Sequence, residues 1–308
     1  MRPRGASISA VAGRVAGAID RFFFAPARAA PFAALRIGLA AVLLVQALQI
    51  VPVFRQVFHH GGLLRGSLMD SFAPAHLPAL GRLLTFLAER GVAESAVLST
   101  CGLLYLGSLV ALLLGWRTRV ACVVAWLLHL FFMMLAPYLT YGVDDFANIF
   151  LFHSMFAPLG AVCSLDRRNG RGADAPTAGN RLVLRAMQLH LCFSYLVSGV
   201  EKARGEQWWN GEAIWRALMG HGYQLFDFTW LALYPAIAAV LGWSVLVVEI
   251  GYPLFIWPRR TRRSWIAAVV ALHAGIALFM GLHVFGAVMI VFTVALFGVS
   301  AEPESSPR

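Results

Sequence analysis

AESAVLSTCGLLYLGSLVALLLGWRTRVACVVAWLLHLFFMMLAPYL, residues 93–139, decides the fold. It holds two apolar runs, 93–115 and 119–139, split by a short break carrying Arg117 and Arg119. Crossing the hydrocarbon core of a bilayer takes about 20 apolar residues as a helix. Each run meets that length, and neither shows the broad polar face that a surface helix of a water-soluble protein turns to solvent.

Outward from this pair, six more segments read the same way: 32–53, 144–164, 182–203, 238–257, 264–282 and 284–301. The last two are divided only by a tight turn near His283. The expected fold class is all-α: a polytopic transmembrane helical bundle with about eight spanning helices plus interfacial amphipathic helices. The composition agrees. The 308 residues are 59% hydrophobic and 13% charged, with mean hydropathy +0.72. A soluble domain carries about 25% charged residues and could not hide this much apolar surface.

The formal net charge of +10 would suggest nucleic acid in a soluble chain. Here the arginines fall between apolar segments, and no basic stripe with interleaved aromatics appears, so nucleic-acid binding is excluded. Arg117 and Arg119 divide segments two and three. Arg167, Arg168, Arg171, Arg181 and Arg185 divide four and five, and Arg259, Arg260, Arg262 and Arg263 divide six and seven. With the N-terminus inside, every cluster lands on the cytoplasmic side of a cell membrane, and both termini are expected there.

Residues 1–30 carry five arginines and no long apolar core. They read as a cytoplasmic segment, either an amphipathic helix over about Ile8–Phe24 or a disordered tail. The transmembrane domain is expected over 31–300 and a polar tail over 301–308. Two outer connections are long. Residues 54–92 hold His59-His60-Gly61-Gly62 and an amphipathic stretch over Leu77–Leu87. Residues 204–237 hold Trp208, Trp209, Trp215, Trp230 and Tyr234, types that favour the membrane–water boundary.

The four cysteines lie in or beside apolar runs with no CxxC pair, and no HxxxH or HExxH spacing occurs, so no metal is expected. The polar residues inside the spans need a different account, because each is costly there and should face the bundle interior or water. Lys202 stands out as the single lysine beside 24 arginines. Burial can deprotonate a lysine whereas arginine stays charged, so Lys202 could serve as a general base. The plainer alternative is a lysine snorkelling at the outer end of segment five. On an ideal helix Arg185, Gln188, Cys192, Tyr195, Gly199 and Lys202 share an arc of about 80°, one polar stripe turned toward a cavity or polar partners. Asp144, Asp145 and Asn148 open segment four, Glu206 follows Lys202, and His283 sits in the last outer turn. Glu249 and His273 lie deeper and form a plausible pair, whereas His129, His153 and His190 read as satisfied core histidines.

These residues resemble a known group. Pro31-Phe32-Ala33-Ala34-Leu35-Arg36-Ile37-Gly38 looks like the first-helix motif of the horizontally transferred transmembrane (HTTM) domain family, which includes the vitamin K-dependent γ-carboxylases. Tyr195-Leu196-Val197-Ser198-Gly199-Val200-Glu201-Lys202, with Trp209 and Gly211, resembles that family's Tyr…Gly-Val-x-Lys…Trp-x-x-Gly segment. Glu249, Arg263, His273, Phe285 and Met289 follow in the order of its later helices, so the likeness covers most of residues 20–300. The resemblance implies Lys202 as the base that deprotonates a reduced quinone, menaquinone or vitamin K hydroquinone, with Asn148 as a second catalytic residue. Tyr195, Trp209, Asp145, Glu249, His273, His283 and Arg36 would line the pocket. Two departures stand out: Ile149 follows Asn148 where the carboxylases have histidine, and no large luminal domain is expected. Three readings follow. One is a quinone-dependent membrane oxidoreductase or lyase-like enzyme, and another is a non-catalytic factor for maturation or export of a secreted peptide, similar to a sporulation-signal-maturation protein. The third is a structural membrane subunit with a vestigial pocket.

Overall fold

A computed structural model of the chain describes residues 8–58, 80–137, 139–220 and 225–302. The His59–Gly62 motif and most of the 301–308 tail lie outside the described residues. All named elements are helical. They run α1 Ile8–Phe24, α2 Ala30–Ile50, α3 Phe54–Phe58, α4 Leu80–Glu89, α5 Glu94–Leu114, α6 Thr118–Leu135 and α7 Gly142–Ser154. Then come α8 Leu165–Arg168, α9 Ala178–Ala203, α10 Glu206–Trp209, α11 Glu212–Met219, α12 Pro235–Phe255, α13 Arg259–Met280 and α14 His283–Thr293. A π-helical turn, Val294–Gly298, prolongs α14.

Among the described residues, six helices are long and apolar enough to cross a membrane: α2 with its extension to Phe58, α5, α6, α9, α12 and α13. Their outer faces carry large bare hydrophobics, among them Leu103, Phe193, Val247 and Leu254, each more than 60% exposed. Water would penalise such a surface, and acyl chains solvate it. The N-terminal stretch is a helix over Ile8–Phe24, and the amphipathic stretch of the first outer connection becomes α4.

Segments four and eight depart from the expected length. The fourth apolar run, expected over 144–164, is helical only to Ser154. Those 13 residues rise about 20 Å, short of the roughly 30 Å core. Pro158 stands where the helix would have to continue, and a proline has no N–H to give the preceding turn. Residues 155–164 instead fold as turns, with Cys163 at φ 50. α14 and its π turn are likewise shorter than a full crossing.

The arginine-rich connections gather at one end of the bundle. Asp166 ties two of them: its Oδ1 accepts from the Arg117 amide at 2.9 Å, and its Oδ2 from the Thr118 amide at 2.8 Å and hydroxyl at 3.0 Å. These are the orphan donors at the start of α6, so the carboxylate caps that helix from outside it. Gly115, at φ 71, closes α5 there; a Cβ on it would meet the Ser164 Cα at 2.7 Å. Arg36 reaches the same end from α2 and donates to the carbonyls of Leu112, Leu113 (2.9 Å) and Cys163 (2.6 Å). The Arg28 amide donates to the Ala301 carbonyl at 2.9 Å and Arg181 Nε to the Ala25 carbonyl at 2.8 Å, which brings the stretch between α1 and α2 and the residues after α14 here.

Burial pushes the Asp166 carboxyl up, but the Thr118 and Arg117 amides, the Thr118 hydroxyl and the Arg171 charge outweigh it and hold the group below its ordinary value. A carboxyl lowered in the folded state stabilises the fold above its unfolded pKa. That contribution is lost as pH falls through the lowered value. Asp166→Asn is therefore expected to destabilise the protein by about 1–3 kcal/mol at pH 7. Thermal unfolding followed from pH 7 downward should show the gap from wild type closing below about pH 4; a gap that stays constant would remove the carboxylate from this role.

Candidate functional site

Lys202 sits in the last turn of α9, and its side chain turns inward along that helix. Nζ donates to both Glu249 oxygens, at 2.6 and 2.7 Å, and to Ser198 Oγ at 2.7 Å. An ammonium has three protons, and all three are used. The Trp208 ring lies 5.4 Å from Nζ. Glu249 is buried on α12, whereas Lys202 keeps about a quarter of its side chain exposed. Gly199 makes the pairing possible, because a Cβ there would stand 2.9 Å from the Ile250 nitrogen and 3.0 Å from the Glu249 Cβ. Small residues let α9 and α12 approach until a lysine from one reaches a glutamate on the other.

The expected Glu249–His273 pair is not formed: His273 Nε2 hydrogen-bonds the Tyr195 hydroxyl at 2.8 Å, and Glu249 is taken by Lys202. Tyr195 stacks on Tyr252 with centroids 4.1 Å apart, and the Tyr252 hydroxyl lies 3.2 Å from Thr293 Oγ1. Four helices, α9, α12, α13 and α14, thus share one polar layer. Within it His273 Nδ1 is buried without a hydrogen-bond partner.

Lys202, Glu249, Tyr195 and His273 are therefore brought together, and the other expected residues make contacts of their own. Arg36 is at the arginine-rich end. Trp209 is half exposed and donates Nε1 to the Ala203 carbonyl, leaving Trp208 as the ring beside the lysine. His283 is exposed, its Nδ1 2.7 Å from the Gly281 carbonyl. Asp145 is exposed, and Asn148 on α7 has a buried Oδ1 with no partner.

A second constellation lies at the end opposite the arginines. A cavity of about 120 Å³ opens between the C-terminal half of α2, α3, α5, α6 and the start of α7. Its wall is largely apolar, with Ile50, Phe54, Leu106, Phe132, Met133 and Leu139. Its polar end is Gln46, Tyr105, His129 and Asp144. His129 Nε2 lies 3.2 Å from the Asp144 carbonyl, which can only accept, so Nε2 carries the proton. In the neutral ring Nδ1 is then the acceptor, and the Tyr105 hydroxyl donates to it at 2.8 Å. The phenol oxygen keeps lone pairs for a further donor. Asp144 accepts from Gln46 Nε2 at 2.9 Å and from the Tyr141 amide at 3.1 Å, which fixes a buried carboxylate beside the imidazole.

His129, expected to be a satisfied core histidine, is hydrogen-bonded at both nitrogens and also lines the cavity. Tyr105 and Gln46 carry no motif. The available signal was a lone amide, a phenol and an imidazole in three separate apolar runs. Among the described residues no group of three or more His, Cys, Asp or Glu is placed to hold a metal ion. No family model, no curated protein and no solved structure matches the chain.

Removing one member of a buried ion pair strands the other charge, at about 3–5 kcal/mol, whereas replacing both with apolar groups is often neutral. Glu249→Leu should accordingly lower the unfolding midpoint sharply in detergent, and Lys202→Met/Glu249→Leu should regain most of the loss. A double variant no more stable than the single would mean that the pair does not carry this energy.

Proposed function

We propose that the protein sits in the cell membrane with both termini in the cytoplasm and binds a lipid-soluble molecule bearing a hydroxyl at one end. A reduced quinone, menaquinone or vitamin K hydroquinone, is the class that fits. The observation that carries this reading is the outer cavity: its apolar wall leads to a single cluster of polar groups, the arrangement of small-molecule sites. The likeness of residues 31–38 and 195–211 to the HTTM domain family, whose carboxylases use reduced vitamin K, points to the same ligand class.

The chemistry we assign to the polar end is proton uptake. The Tyr105 oxygen receives the proton of a bound hydroxyl and passes its own proton to His129 Nδ1. The resulting imidazolium is offset by the fixed Asp144 carboxylate. Lys202 cannot act as a base while its three protons are held by Glu249 and Ser198; it takes that role only after Glu249 has accepted one of them. This engagement, together with the exposed outer aromatics Trp209, Trp215, Trp230 and Tyr234, supports a second reading: a non-catalytic factor that holds a secreted peptide at the outer surface.

Titration of the purified protein in nanodiscs with reduced menaquinone, followed by thermal shift, separates the readings. Binding is expected in wild type. Tyr105→Phe should weaken it about five- to tenfold, the worth of one hydrogen bond of about 1 kcal/mol. Gly102→Leu, which puts a side chain into the cavity beside Phe54, should abolish it. Binding that survives both substitutions would dismiss the cavity as the site. Under oxygen, epoxide formation lost in Lys202→Arg but kept in Tyr105→Phe would move the proton chemistry to the lysine. A wild type that binds no quinol, with a secreted peptide captured instead, would leave the second reading standing.

A further inference from the structure

The arginine-rich end holds a second hollow, an open bowl of about 570 Å³ between α9, α13 and the end of α14. Arg181, Arg185, Arg259, Arg260, Arg262 and Arg263 line it. Three of them are held in place by groups that do not cancel their charge. Arg181 Nε donates to the Ala25 carbonyl, and Arg262 Nη2 to the Trp257 carbonyl at 2.6 Å. Arg185 Nε donates to the Phe22 carbonyl at 3.0 Å, and its guanidinium lies 4.3 Å from the Phe22 ring and 5.0 Å from the Trp257 ring. The side chains of Arg259, Arg260 and Arg263, at the start of α13, have no hydrogen bond or ion pair among the described residues. The helix dipole adds its positive end there, and no side chain caps it.

Against six guanidinium groups, the described residues of the bowl include one carboxylate, Glu302 of the C-terminal segment. Its Oε1 stands 3.4 and 3.5 Å from the two terminal nitrogens of Arg181, and the side chain is 60% exposed. An anion is already drawn into the bowl, held by long contacts on one of the six arginines. The remaining wall is hydrocarbon: Trp257, Ile266, Leu296 and Phe297. A bias of arginines toward one membrane face explains their number. It does not require them to converge on a hollow with an apolar wall and fixed guanidinium positions.

We propose that this bowl binds the phosphate of an anionic phospholipid, with its first methylenes against Ile266 and Phe297 and with Glu302 as a resident competitor. Arginine forks suit phosphate oxygens, and basic pockets between membrane helices suit acidic headgroups. The assignment is independent of the outer cavity and its ligand.

The test uses the full-length chain in neutral detergent doped with phosphatidylglycerol, phosphatidylcholine or inorganic phosphate. Lipid retained through delipidation is read by native mass spectrometry, and the unfolding midpoint is measured in parallel. Phosphatidylglycerol should be retained and should raise the midpoint, while the other two do neither. Arg259→Gln/Arg263→Gln, at exposed positions, should weaken retention about tenfold or more. Arg119→Gln/Arg168→Gln makes the same change of charge at the same end but outside the bowl, and should leave retention unchanged. Glu302→Gln should strengthen it severalfold. Equal retention of the two lipids, or equal loss in the two double variants, would overturn the site. Protection by inorganic phosphate matching that by phosphatidylglycerol would overturn the lipid assignment in favour of a soluble anion.

Discussion

Inside a hydrocarbon slab a polar side chain has no water to fall back on, so its partner has to come from another helix. That constraint organises this bundle. Lys202 and Glu249 join α9 to α12, Tyr195 and His273 join α9 to α13, and Tyr252 and Thr293 join α12 to α14. On the other side Tyr105, His129, Asp144 and Gln46 join α5, α6, α7 and α2. Hydrophobic association cannot hold helices together in lipid as it does in water, so packing and these hydrogen bonds set which helices are neighbours.

The two polar layers differ in what they leave available. The Lys202 layer is mostly closed upon itself: ammonium protons are matched to carboxylate and hydroxyl oxygens, and the phenol is matched to the imidazole Nε2, which leaves His273 Nδ1 as its open atom. The Tyr105 layer borders a cavity, and its hydrogen bonds run in a direction that leaves a phenol oxygen open to a donor. Chemistry needs both a group and a space beside it. The residue type most suggestive of a base therefore stands in the more saturated setting, while an unremarked tyrosine stands at the open one.

The arginine-rich end is built by the same economy of partners at a wetter boundary. Carbonyls that would otherwise be orphaned at helix ends receive Arg36, Arg181, Arg185 and Arg262, and the Asp166 carboxylate receives the orphan amides of α6. Arginine suits this use because its planar fork serves two or three carbonyls at once and keeps its charge. The loops are thereby clamped to the bundle, and the positive charge left over converges on one bowl.

The sequence by itself determined the long apolar helices, the gathering of arginines between them and the amphipathic helix α4, while for α1 it left a helix and a disordered tail open. These follow from local composition: a run of apolar residues long enough to span, or a stripe at helical spacing, is written in neighbouring letters. The polar stripe on α9 was legible for the same reason, with Gly199 on it. Tertiary structure alone decided the rest. Glu249 and His273 were visible as polar residues in need of partners, yet which partner each takes depends on the rotation and crossing of helices far apart in the chain. The cavity beside Tyr105 is a space between five elements, and no single segment encodes a void. The early end of α7 was half legible, since Pro158 marks the break, but the turns beyond it are held by Arg36 from α2 through the Cys163 carbonyl. Periodicity specifies a helix and its faces; only packing specifies what each face meets.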